Sequence, residues 1–163
     1  MIVVFIGQPC SGKTTLAKEF QKKIFHTSTA PIIDGDEIRV IFKNTDYSKE
    51  GRIKNLNRIS DISTFLASKY HDVIVSAIYP FVEAREYLES ISTQKILWVY
   101  LKYTGVRGRE NFHVEFETPS VEIKNLMMLN TSSISIEDCV SMVYEFYSKF
   151  YYDTPVKSND TNT

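Results

Sequence analysis

The 163-residue chain has little cysteine, little excess charge and no long apolar run. Its two cysteines, Cys10 and Cys139, lie far apart in unlike surroundings, and no C-x-x-C spacing occurs. That argues against a disulfide-stapled scaffold and against a structural zinc site. No stretch approaches the roughly 20 apolar residues that a spanning helix needs, so no membrane partner is expected. Nineteen Lys and Arg stand against 20 Asp and Glu, a net charge of −1. The totals hold no basic field of the kind that drives non-specific nucleic-acid binding. A local basic groove stays open, with nucleic acid retained only as a disfavoured hydroxyl acceptor. Met1 to Ile6 is apolar but breaks at once into Gly-Gln-Pro-Cys-Ser-Gly-Lys, with no basic leader. The expectation is a cytoplasmic protein. Linkers, repeats and low-complexity segments are absent before the polar end of the chain. Residues 1–152 therefore read as one domain and 153–163 as a disordered polar tail.

What is present is a regular alternation of short apolar runs and helical patterns. Ile2 to Ile6 is continuously apolar and β-branched, as expected of a strand buried on both faces. Pro31 to Ile33, Asp72 to Ile78, Lys95 to Leu101 and Leu126 to Leu129 read as four further strands. Helices are expected over Thr14 to Ile24, from an Asp36 cap to Phe42, from Ser48 to about Tyr70, over Phe81 to Ser90, and over Ser135 to Tyr151. Ile53, Leu56, Ile59, Ile62, Phe65 and Leu66 mark a buried stripe on the long helix. Tyr103 to Pro119 is charged, irregular and read as a mobile loop. Strands alternating with helices imply a parallel sheet covered on both faces. The fold expected from this alternation is an α/β domain with a five-stranded parallel sheet.

Gly7-Gln8-Pro9-Cys10-Ser11-Gly12-Lys13-Thr14 satisfies G-x-x-x-x-G-K-[ST] in full, between a strand and a helix. Successive backbone N–H groups there can surround a phosphate, aided by the helix dipole. Gly12 lets the backbone approach the oxygens, Lys13 supplies a cation to the outer phosphates, and Thr14 is the expected Mg²⁺ ligand. Gly7 through Thr15 are thus candidates for binding a nucleoside triphosphate. Asp34-Gly35-Asp36-x-x-Arg39 follows the second strand, and Asp36 can orient an acceptor hydroxyl or take its proton. Lys13 and Asp36 are the catalytic candidates.

From Asp34 onward the residues resemble the adenylylsulfate kinases, which use ATP and Mg²⁺ to phosphorylate the 3′-hydroxyl of adenosine 5′-phosphosulfate. The family's D-G-D-x-x-R is present as Asp34 to Arg39, and its R-x-x-N-x-x-R as Arg52, Asn55 and Arg58. Ser76-Ala77-Ile78-Tyr79-Pro80 resembles its A-x-I-S-P turn, and Glu83-Ala84-Arg85 the start of its next helix. Arg107-Gly108, Phe112 and Phe116-Glu117-x-Pro119 resemble the segment that ends in a substrate-stacking Phe and a Y-E-x-P turn. Asn130-Thr131 through Cys139-Val140 resembles D-T followed by S-x-E-E-C-V. The resemblance implies that Asp34, Asp36, Arg39, Arg52, Asn55, Arg58, Ile78 and Arg107 hold the acceptor. It further implies that Tyr47 and Phe112 stack on its adenine and that Thr131 lies beside the nucleotide. Together with the phosphate loop it implies an α/β, P-loop kinase-like three-layer fold with a five-stranded parallel sheet in the order 2-3-1-4-5, and a homodimer is compatible with it.

Two departures bear on the acceptor. Tyr79 stands where the family has Ser, and the loop from Tyr103 to Asn111 is much shorter than the family's basic lid. Lys102, Arg107 and Arg109 are candidate replacements for its charge. Other hydroxyl acceptors therefore stay open, among them a modified nucleoside in DNA, a polynucleotide end or a small sugar. So does a non-catalytic nucleotide-binding regulator.

Overall fold

The computed structural model describes residues 1–26, 28–105, 114–119 and 123–151. Strands β1 (Ile2–Ile6), β2 (Ile32–Asp34), β3 (Val73–Ser76), β4 (Ile96–Lys102) and β5 (Leu126–Asn130) form one sheet in the order β2-β3-β1-β4-β5. All four pairings are parallel. Helices α1 (Lys13–Ile24), α2 (Gly35–Ile41), α3 (Lys49–Ala67), α4 (Val82–Ile91) and α5 (Ile136–Tyr151) complete it. The expected fold class and strand order are both borne out.

β1 sits at the centre, and every one of its residues is fully buried. Its side chains alternate between two cores, as strand geometry requires. Val3 and Phe5 join Leu16, Phe20 and Ile24 of α1 and Val140, Val143 and Tyr147 of α5. Ile2, Val4 and Ile6 join Leu56 and Ile59 of α3, Leu88 of α4, and Trp98. Each face is closed by helices, which is why β1 has no polar residue.

Parallel pairing brings the carboxyl ends of the strands to one edge. Asp34 closes β2 opposite Ser76, which closes β3, and Ser76 in turn lies opposite Phe5. The chain leaves β1 into the glycine-rich loop at that edge, beside the strands that carry these polar residues. Ligand sites of open parallel sheets form at this edge.

Two local expectations are corrected. Asp34, not Asp36, caps α2: its carboxylate accepts the Asp36 N–H at 2.9 Å while Asp36 lies inside the first turn. The cap residue must still be extended, and Asp34 is the last residue of β2. On α3, Phe65 is 62% exposed and does not belong to the buried stripe. That stripe runs through Gly51, Asn55, Leu56, Ile59, Ser60, Ser63 and Ala67. Small and polar residues fill it because α2 packs close to the start of α3 and Tyr79 reaches its middle. Ser48 caps α3 as expected, accepting from the Gly51 N–H at 3.1 Å.

Tyr79 points into the core. It is fully buried at φ +44°, with its ring edge-on to Trp98 at 5.5 Å. Its hydroxyl lies 3.0 Å from Ser60 Oγ, which also donates to the Leu56 carbonyl. Burial pushes the phenol above its ordinary pKa, so it stays protonated. Tyr79→Phe should therefore lower unfolding free energy by about 1 kcal/mol, the worth of one hydrogen bond. Turnover should remain that of the parent protein. Chemical denaturation alongside a turnover assay checks both.

Candidate active site

The phosphate loop is built by backbone geometry that most side chains cannot adopt. Gly7 has φ +146°, and a Cβ there would lie 2.5 Å from the Leu101 carbonyl oxygen and 2.8 Å from Ser11 Oγ. Gly12, at φ +96°, is the residue that turns the loop into α1. Cys10 holds a left-handed conformation at φ +63°, and it forms no disulfide. No acidic residue occupies the first turn of α1, so its amide end keeps its positive potential. Ser11 is fully buried, and its hydroxyl has no hydrogen-bond partner among the described residues. Thr131 donates to the Ser11 carbonyl at 3.0 Å, which ties the end of β5 to the loop. Thr15 is exposed at the start of α1.

Lys13 is partly buried and donates to the Gln8 carbonyl at 2.7 Å. Burial lowers its pKa from 10.5 to about 8, against the opposing pull of Asp36, Cys10 and Asp34. Asp36 itself is exposed. Thr14 Oγ1 donates to Asp34 Oδ2 at 2.8 Å and stands 3.0 Å from Ser76 Oγ. Three hard oxygen donors, from α1, β2 and β3, thus meet beside the loop.

The acceptor candidates gather where α2 runs into α3. Arg39 lies over the Tyr47 ring at 4.4 Å and Arg52 over the same ring at 5.5 Å. Arg39 donates to the Asp46 carbonyl at 2.9 Å, and Arg52 Nε to the Tyr47 carbonyl at 2.9 Å. Among the described residues no carboxylate lies within 4.0 Å of either guanidinium. Burial and then the Arg39 charge lower the Arg52 pKa. Arg58 lies over Phe42 at 4.5 Å and lines a cavity of about 650 Å³ on the outer face of α3. Asn55 is 3% exposed; its amide donates to the Gly35 carbonyl at 3.2 Å, and its Oδ1 has no partner among the described residues. Arg39, Tyr47 and Arg52 are thus brought together, Arg58 stands apart on Phe42, and Asn55 sits beneath Asp34–Asp36. Ile78 accepts from the Gly7 N–H at 3.4 Å. Arg107, Arg109 and Phe112 lie outside the described residues.

Sequence reasoning missed three contributors. Ser76 was signalled by a polar residue ending the otherwise apolar β3. Phe42, the partner of Arg58, looked like a helix terminus. Arg85 is 3% exposed and donates to the carbonyls of Tyr79 and Glu117 at 2.8 and 2.9 Å. No local pattern announces a buried arginine whose hydrogen bonds, among the described residues, go to backbone oxygens.

Residues 1–110 match the family model described as adenylylsulphate kinase. The chain belongs to the adenylylsulphate kinase family. It is a phosphotransferase of the kinase class, with a hydroxyl group as acceptor. The adenylyl-sulfate kinase of Oceanobacillus iheyensis is 29% identical over 170 residues, covering 93% of this chain and 85% of that protein. The bifunctional enzyme NodQ of Rhizobium sp. is 35% identical over 83 residues, half of this chain and 13% of NodQ. Among solved structures, the Mycobacterium tuberculosis APS kinase CysC in complex with AMPPNP and APS superposes with a TM-score of 0.77. It is 22% identical, and the match covers 90% of this chain and 96% of that one. At that identity the likeness shows the fold. The family match spans the loop, Asp34–Arg39 and Arg52–Arg58.

A lysine charged below pH 8 in a desolvating site opposes folding. That penalty is relieved as pH rises from about 8 towards 10.5. Lys13→Met should raise the melting temperature of the ligand-free protein near pH 7 (a pH at which the lysine is charged in both states). The gain should shrink above about pH 8, and the same variant should lose phosphoryl transfer by orders of magnitude. Thermal scans across pH, with a turnover assay, read both outcomes.

Proposed function

We propose that the protein transfers the γ-phosphoryl group of ATP to the 3′-hydroxyl of adenosine 5′-phosphosulfate. The observation that carries this is the pair of guanidiniums, Arg39 and Arg52, on one exposed tyrosine ring with no carboxylate within 4.0 Å among the described residues. Such a pair is a receptor for anionic oxygens, and Tyr47 is 63% exposed, which leaves it accessible to a base. The family match and the O. iheyensis relative support the same acceptor.

In this mechanism the loop amides of Gly7 to Thr15 hold the phosphates, and Thr131 braces the loop through the Ser11 carbonyl. Lys13 gives up the Gln8 carbonyl for the phosphate oxygens, which restores the charge that burial disfavours. Asp36 stands close enough to Lys13 to influence its ionisation, and there it orients the acceptor hydroxyl and receives its proton. Asn55 holds the Gly35 carbonyl, and so fixes the α2 start that carries Asp36. Thr14, Asp34 and Ser76 present the hydroxyl and carboxylate oxygens that suit Mg²⁺, with Thr14 as the direct ligand. When bound, that ion neutralises charge on the transferring group. Arg58, Ile78, Arg107 and Phe112 complete the acceptor site, with Phe112 on the second face of the adenine. The proposed setting is the cytoplasm, and among the described residues no helix is long and apolar enough to cross a membrane.

Turnover across a panel of adenosine 5′-phosphosulfate, a small sugar and a polynucleotide end tests the acceptor. Preference for the sugar or the polynucleotide would overturn the acceptor, and ATP consumption indifferent to any acceptor would point to a regulator. Within the panel, Arg52→Ala and Arg58→Ala should each weaken use of adenosine 5′-phosphosulfate about tenfold to a hundredfold, the loss of a charge-assisted contact. Tyr47→Ala and Phe112→Ala should each raise the acceptor constant about tenfold. The ATP constant should change little in all four.

A further inference from the structure

Gln8 is the second residue of the phosphate loop, yet its side chain serves another part of the chain. Its Nε2 donates to the Val114 carbonyl at 2.7 Å, and its Oε1 accepts the Val114 N–H at 3.2 Å. These are the two bonds that a paired strand residue would make. Val114 is buried, so no water replaces them cheaply.

The stretch from Val114 to Pro119 is held along its length. Phe116 stacks on Tyr100 at 5.4 Å. The Glu117 N–H donates to the Pro80 carbonyl at 2.8 Å, and its carboxylate accepts the Val82 N–H. Arg85 bridges the Glu117 and Tyr79 carbonyls. On the other side, the Gly7 N–H donates to the Ile78 carbonyl at 3.4 Å. The contacts close a ring: Gly7 to Ile78, Pro80 to Glu117, Val114 to Gln8. The turn in this ring, residues 78–80, follows β3 after Ala77, at the carboxyl edge of the sheet where Ser76 lies opposite Asp34. Within the same residue, the Gln8 carbonyl accepts both Lys13 Nζ and the Ser11 N–H, at 2.7 and 3.2 Å. Backbone and carboxamide of Gln8 thus belong to two different parts of the site.

We infer that Gln8 is a positioning residue: its carboxamide fixes residues 114–119 and the 78–80 turn against the phosphate loop, and so sets the acceptor side for transfer. This rests on the proposed function only for the identity of the acceptor. Two variants of the full chain test it, Gln8→Leu and Gln8→Glu. Without ligand, Gln8→Leu should speed amide exchange at Val114 about tenfold or more, with the exchange of β1 unchanged. It should raise the acceptor KM about tenfold and leave the ATP KM within about twofold. Gln8→Glu should behave likewise near neutral pH, because a carboxylate cannot donate to the Val114 carbonyl. Facing that carbonyl should hold its pKa above the ordinary value of about 4.3. On acidification through that pKa the side chain regains one donor and one acceptor. Its acceptor KM should then fall towards the parent value, while that of Gln8→Leu does not follow. Unchanged exchange at Val114, equal losses for ATP and acceptor, or no recovery of Gln8→Glu in acid would each overturn the role. Should the parent protein ignore adenosine 5′-phosphosulfate, the acceptor reading fails by itself. The exchange measurement, and the KM for whichever hydroxyl the panel identifies, still decide on Gln8.

Discussion

Everything at the site depends on how the chain leaves β1. Gly7 passes so close to the Leu101 carbonyl that a single added carbon would collide with it, and its N–H reaches across to Ile78. This closeness seats the loop between β3 and β4, where the carboxyl ends of three strands deliver Asp34, Ser76 and the start of α1. A wider exit would separate Thr14 from its two oxygen partners. The central strand is wholly apolar for a related reason: buried by helices on both sides, it can carry chemistry only at its end.

Charge is arranged around that exit with little neutralisation. Lys13 is held in a desolvating place, and among the described residues Arg39 and Arg52, which share one ring, have no carboxylate within 4.0 Å. A cation over an aromatic face gains about 0.5–1 kcal/mol when exposed. That is enough to orient two guanidiniums and too little to consume their attraction for anions. Carbonyl contacts do the rest, fixing Arg39 on Asp46 and Arg52 on Tyr47. The site thus keeps positive groups ordered by neutral partners, which leaves their charge available to anionic oxygens.

The parts of this arrangement legible in the sequence are those encoded locally. The glycine-lysine-threonine loop, the alternation of strand and helix, and the Asp34–Arg39 run are contiguous, and their physics acts within a few residues. Less visible was whatever depends on distant packing. Asp34 and Asp36 are equally plausible caps until the end of β2 is known. Phe65 fits the helical period of α3, but the facing surface is met by Ser60 and Ser63 because Tyr79 fills the space between. Asn55 shares a side of the helix with Arg52 and Arg58 in projection. The close approach of α2 puts it underneath and leaves the two arginines flanking. Gln8 and Val114 are 106 residues apart, and a glutamine in a loop carries no sign of the backbone it will meet.

Tyr79 ties three parts of the fold together. Its ring edge fits Trp98, its hydroxyl meets Ser60, and its backbone holds a left-handed turn whose carbonyl Arg85 occupies. Exchange for a small residue would open a void between α3 and β4 and orphan the indole's neighbour. Positions 60, 79 and 98 therefore pack as a unit, and a small residue in place of the tyrosine would leave the serine and the tryptophan to be refitted.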